Sequence, residues 1–207
     1  MKKLLQIIGI FALIFAVVIG LNVYSLVKEG NESPTYPTEE EIKEAVGKLG
    51  EGIMDGGFYL DGKVYQLPIT VADMAESGWL IEETLNMKYE KFPANTVTNS
   101  MNVKRSNDKL KAIGVTLLNP YEEKLALDDV LVKQLVMGTL TANKVVLPQG
   151  ITWTSTLEEV KAAYGEPSKE SGSSIMYEDD MWEITIWFDT DNSGKYTMTD
   201  VKYCLKD

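Results

Sequence analysis

Histidine is absent from the 207 residues and cysteine occurs once. Without an imidazole there is no triad built on a histidine base, no HExxH zinc site and no histidine pH switch. A single thiol, Cys204, cannot close an internal disulfide, hold zinc through paired thiolates or run a CxxC redox cycle. In the strand-like run VKYCL it reads as a small apolar packing residue. Positive charge is also scarce: 20 Lys and Arg stand against 31 Asp and Glu, a net charge of −11. Phosphate binding needs a concentrated basic surface, so nucleic acid is excluded as a partner. The one basic cluster, Lys104, Arg105, Lys109 and Lys111, reads as a solvated hairpin end. Glycine-rich phosphate loops, GxSxG elbows and SxxK motifs are missing as well. Carboxylate neighbours such as Glu122 and Glu123, or Asp179 and Asp180, diverge on a strand or helix and cannot flank one glycosidic bond. No cofactor, metal or catalytic residue is expected.

Hydrophobic residues make up 44% of the chain and charged residues 25%, a composition that supports a folded core. Lys2 and Lys3 precede an apolar run over residues 4–27 that would measure about 36 Å as a helix, against a hydrocarbon layer of about 30 Å. Residues 1–27 are therefore expected to form a transmembrane signal anchor. The alternative is a cleaved signal peptide with Val23 and Ser25 at the cleavage site, which would leave a secreted protein. Both readings export the chain beyond Lys28, because the positive charges precede the run and the next stretch is acidic. Residues 28–37 have the glycine, proline and polar content of a linker.

Beyond the linker the pattern is α+β, with two small helix-plus-antiparallel-sheet units over 38–140 and 141–207. In the first, Thr38 and Glu41 form a capping box ahead of Ile42, Ala45, Val46 and Leu49, an apolar face at helical spacing. FYLDGKVYQLP, residues 58–68, is a hairpin turning on Asp61 and Gly62. Thr70 opens a short helix that Gly78 stops, and strands run from Asn95 to Met137. In the second unit, Ser155 or Thr156 caps a helix bearing Leu157, Val160 and Tyr164, and Gly165 and Pro167 end it. Three strands come next. In MWEITIWFD, Trp182, Ile184, Ile186 and Phe188 alternate with Glu183, Thr185, Trp187 and Asp189, the mark of a half-buried antiparallel strand. The apolar phase of YTMTDVKYCL shifts midway, which predicts a bulge near Thr199 and Asp200. Ile69–Thr70 and Ile151–Thr152 introduce the two helices in parallel fashion, a weak internal echo.

The segment GITWTSTLEEVKAAYGEP, Gly150 to Pro167, carries Gly150, a Thr154 or Ser155 cap, Glu159, Val160, Gly165 and Pro167. With the strands after it, it resembles the small domain shared by the β-lactamase inhibitory protein family and outer-membrane assembly lipoproteins of the SmpA/OmlA type. The resemblance implies an exported, non-enzymatic domain that presents a sheet surface to another macromolecule, and in the inhibitor family two such units stand in tandem. That family's structural disulfides have no counterpart here, and β-lactamase inhibition is not carried over.

DTDNSGKYTMTD, residues 189–200, sets Asp189, Asp191, Ser193, Gly194 and Asp200 at calcium-loop spacing. The flanking periodicity is two rather than 3.6, so the stretch is expected to be a hairpin turn without a metal. Trp187, on the polar face of its strand, is the best contact candidate, within an apolar patch. The functional expectation is a membrane-anchored extracytoplasmic module that binds an unidentified protein. Alternatives are a cell-wall or carbohydrate-binding module, for which Trp79, Trp153, Trp182 and Trp187 could supply a stacking platform, and an exported carboxylate-based hydrolase.

Overall fold

The computed structural model describes residues 36–81, 85, 91–106, 108–139, 143–191 and 194–206. Thr38 caps helix α1 (Glu39–Val46): its hydroxyl accepts from the Glu41 N–H while the Glu41 carboxylate accepts from the Thr38 N–H, satisfying two otherwise orphaned donors. Strands β1 (Gly57–Leu60) and β2 (Lys63–Gln66) form the expected hairpin, and both turn residues have positive φ, Asp61 at 49° and Gly62 at 102°. Thr70 caps the short α2 (Val71–Ala75), and Gly78 turns the chain away at φ 83°.

The next strands build one large antiparallel sheet. They are β3 (Thr96–Val97), β4 (Met101–Arg105), β5 (Asp108–Asn119) and β6 (Leu131–Gly138). The short β7 (Val145–Val146) leaves this sheet and pairs with β1, giving a three-stranded sheet of order β2-β1-β7. After α3 (Leu157–Tyr164), capped by Thr156, come β8 (Lys169–Ser171), β9 (Ser174–Glu178), β10 (Trp182–Thr190) and β11 (Tyr196–Leu205). The large sheet has eight strands in the order β3-β5-β6-β11-β10-β9-β8, with β4 beside β5. The predicted bulge is present: Trp187 pairs with Asp200 and Phe188 with Met198, which leaves Thr199 as the extra residue.

One face of the large sheet is apolar. Register aligns Tyr177, Ile184, Tyr203, Leu135, Val115 and Met101 in one row across six strands. The three-stranded sheet lies over these residues, with Phe58 stacked on Tyr65 and 5.1 Å from the Tyr203 ring. Its far side carries Tyr59, Val64 and Val146, and there α1 docks through Ile42 and Ala45, joined by Leu49 from the turn after it. The helix face read from the sequence thus buries on its own domain, except Val46, which is exposed.

Two features of the expected fold are corrected. The separate α+β units do not exist as such: β6 and β11 pair from Gln134–Cys204 to Gly138–Asp200, so strands from both halves share one sheet and one core, and Pro34–Asp207 is a single compact unit. This junction joins residues about seventy apart, beyond the reach of local periodicity, and it yields a mostly antiparallel β architecture rather than a tandem. The membrane expectation fails too. Among the described residues no helix is long and apolar enough to cross a membrane. The segment 1–27 and most of the linker 28–37 lie outside the described residues, so a spanning anchor has no structural support.

Of the basic cluster, Lys104 is exposed as expected, but Arg105 and Lys111 are not solvated. Arg105 donates to the carbonyls of Ser77 and Asp61, and Lys111 pairs with the Asp61 carboxylate, whose side chain is only 1% exposed. That carboxylate also accepts from the Lys144 N–H at 2.9 Å, which ties the hairpin tip to β5 and to the start of β7.

Candidate functional site

The second face of the large sheet is uncovered by any described element, and register orders its side chains into rows. One row runs Ser171, Ser174, Trp187, Asp200, Gly138. The next crosses seven strands: Lys169, Met176, Thr185, Lys202, Val136, Gly114, Asn102. A third runs Glu178, Glu183, Cys204, Gln134, Thr116. Antiparallel sheets with one packed face carry such small, polar and charged residues on the other.

Trp187 stands in the middle strands of this face, half-buried, with the Lys202 ammonium 6.0 Å from its ring centroid. Lys202 also pairs with Glu183 at 2.7 Å, and that hydrogen bond holds the Glu183 carboxyl below its usual range. Beside the indole lies a shallow depression of about 230 Å³ bounded by Lys169, Ser174, Met176, Thr185 and Lys202. The expected apolar patch is therefore amphipathic, since Met176 is the indole's one apolar companion there and both lysines bring polar heads on aliphatic stems. On the other side, over β5, β6 and β11, a trough of about 320 Å³ is lined by Ser100, Asn102, Gly114, Val136, Gly138 and Asp200. Burial pushes the Asp200 carboxyl above its ordinary range.

The other tryptophans are elsewhere. Trp79, Trp153 and Trp182 are all buried, and the Trp153 indole donates to the Asn143 carbonyl at 2.7 Å. Only Trp187 reaches the surface, so the four do not form a stacking platform. The Asp189–Asp200 stretch is a β-hairpin: Asp189 pairs with Thr197, Thr190 with Tyr196, and the turn is closed by the Gly194 N–H on the Asp191 carbonyl and the Lys195 N–H on the Asp191 carboxylate. Asp200 is carried down the returning strand to face Gly138, away from the turn; Asn192 and Ser193 lie outside the described residues. Cys204 sits on the uncovered face, half-buried. Sequence reading singled out Trp187 but missed Gly114, Gly138 and Asn102. Their signal was present in the outward phase of β4, β5 and β6, yet only the β6–β11 pairing brings them beside Trp187.

Comparison with known proteins finds no matching family model, no matching curated protein and no matching solved structure. The functional reading therefore rests on the geometry of this chain.

Proposed function

We propose that this protein is a non-enzymatic, extracytoplasmic binding module whose uncovered sheet face recognises another protein. The observation that carries the reading is Trp187: a large aromatic held half-exposed at the middle of a seven-strand face, between two shallow depressions, while every other tryptophan is in the core. Aromatic anchors surrounded by polar groups are typical of binding hot spots, and shallow, broad relief suits a protein surface better than a small molecule. Export is supported by the leading Lys2–Lys3 and the apolar run after them.

The test is capture of partners by the full chain from its own envelope extract, comparing the native protein with Trp187→Ala and with Tyr121→Ala, an exposed aromatic in the loop after β5. The reading expects a protein partner that the Trp187 variant loses by at least tenfold and the Tyr121 variant retains. Equal recovery by both variants, or recovery of glycan alone, would overturn it.

A further inference from the structure

The trough beside Trp187 is unusual in what it leaves out. Glycine occupies two of its positions, Gly114 on β5 and Gly138 on β6, and the only charged group along it is Asp200. At Gly138 the bareness is needed, because a Cβ there would run into the Asp200 carboxylate; at Gly114 a Cβ would come within 3.2 Å of the Val136 Cβ. The carboxylate is thus laid over bare backbone instead of standing out into water. Among the described residues no ion pair reaches it: the nearest lysine along β11, Lys202, gives its ammonium to Glu183. Half-buried in a trough of small side chains, Asp200 has lost water and gained no counter-charge, and this desolvation raises its affinity for protons.

We propose that the Asp200 trough is the subsite for one basic side chain of the protein partner, the aliphatic stem of a lysine or arginine lying along Gly114, Val136 and Gly138 with its cationic head on the Asp200 carboxylate. This assignment rests on the proposed recognition face around Trp187 and adds its chemical preference. Three observations favour it over other occupants. A single carboxylate with Ser100 and Asn102 is too few charged oxygens for a divalent cation, which takes six or more ligands with several carboxylates. A volume of about 320 Å³ lies at the bottom of the range for small-molecule pockets and is open to solvent along the sheet, matching a side chain better than a free ligand. The net charge of −11 complements a basic partner and would steer its approach. A desolvated carboxylate meeting a guanidinium or ammonium makes a charge-assisted hydrogen bond, stronger than one at an open surface.

The experiment is a nuclear magnetic resonance titration of the isotope-labelled full chain with three capped pentapeptides, Gly-Gly-Xaa-Gly-Gly, where Xaa is arginine, lysine or norleucine. Saturable shifts at the Gly114, Gly138 and Asp200 amides are expected with arginine and lysine in the millimolar range, and none with norleucine. Asp200→Asn should weaken arginine binding by about tenfold, the effect of one charge-assisted hydrogen bond. Gly138→Ala, which keeps the charge but turns the carboxylate aside, should weaken it as well. Absence of saturable shifts, equal response to norleucine, or undiminished binding by Asp200→Asn would overturn the assignment. If these fail while Trp187→Ala still abolishes partner capture, the basic-side-chain subsite alone is wrong; if Trp187 is also dispensable, the recognition face itself is.

Discussion

Replacing Asp61 by alanine isolates the polar knot that holds the small sheet against the large one. Its carboxylate is 1% exposed, while the Lys111 and Arg105 side chains it faces are 15% and 18% exposed. Removing a buried partner leaves charges uncompensated, which costs about 3–5 kcal/mol in closed interiors. Here Arg105 keeps its bonds to the Ser77 and Asp61 carbonyls, and both cations reach some water, so the low end, about 3 kcal/mol, applies. Loss of the acceptor for the Lys144 N–H and the left-handed φ of 49°, which aspartate tolerates better than alanine, bring the total to about 4 kcal/mol. Asparagine keeps the turn geometry and one acceptor, so Asp61→Asn should cost about half as much. The assay is urea unfolding followed by emission from the buried Trp79, Trp153 and Trp182, with melting as a second readout. For a folded unit of this size about 4 kcal/mol corresponds to roughly 8–16 °C. A double-mutant cycle between Asp61→Ala and Lys111→Ala should return a coupling of about 1–3 kcal/mol. A loss below about 1 kcal/mol for the alanine variant, or a coupling near zero, would refute the claim that this cluster fastens the two sheets.

The remaining expectations use other parts of the fold. The Glu41 carboxyl is lowered to about 2 by the Thr38 backbone N–H, with help from Lys144. Because its folded pKa is depressed, its contribution is present above the unfolded value near 4.5 and is lost as pH falls through about 2, so Glu41→Gln should cost about 1 kcal/mol at neutral pH and progressively less between pH 4.5 and pH 2, measured by urea midpoints. Trp182→Ala should cost about 3–5 kcal/mol by opening the core, whereas Trp187→Ala should cost less than about 1 kcal/mol; equal losses in unfolding experiments would contradict the two-faced sheet. Deleting Thr199, the extra residue, keeps Met198 opposite Phe188 in the core and Asp200 opposite Trp187, so it should cost about 1 kcal/mol or less in unfolding experiments; a loss of about 2–3 kcal/mol, that of a core methionine turned to solvent, would contradict the register.

Local chemistry made most of the elements legible. Capping boxes at Thr38 and Thr156, the Asp61–Gly62 turn and the alternation of Trp182 to Asp189 are each written in a few adjacent residues, and all fold as those residues dictate. The phase shift in the last strand located the bulge because a single extra residue inverts the faces. What stayed hidden depends on pairing across long loops. Nothing in LVKQLVM or VKYCL names the other as its neighbour, so the two halves read as separate units, and the trough shared by Gly138 and Asp200 could not be seen. Two members of the basic cluster were misjudged for a related reason: Arg105 and Lys111 look solvated until Asp61, 44 and 50 residues earlier, is placed among them. Trp187 was recoverable from phase alone, but its amphipathic surroundings come from four strands at once.

The central claim is that strands from both halves of the chain make one recognition face. The most direct measurement places a photo-crosslinking phenylalanine analogue, one position at a time, at Trp187 on β10, at Val136 on β6 and at Tyr121 in the β5–β6 loop of the full-length protein in its own cells. The same protein adduct from positions 187 and 136, and none from 121, is the expected result; adducts to different partners from the two strands, or adducts from 121 alone, would contradict it.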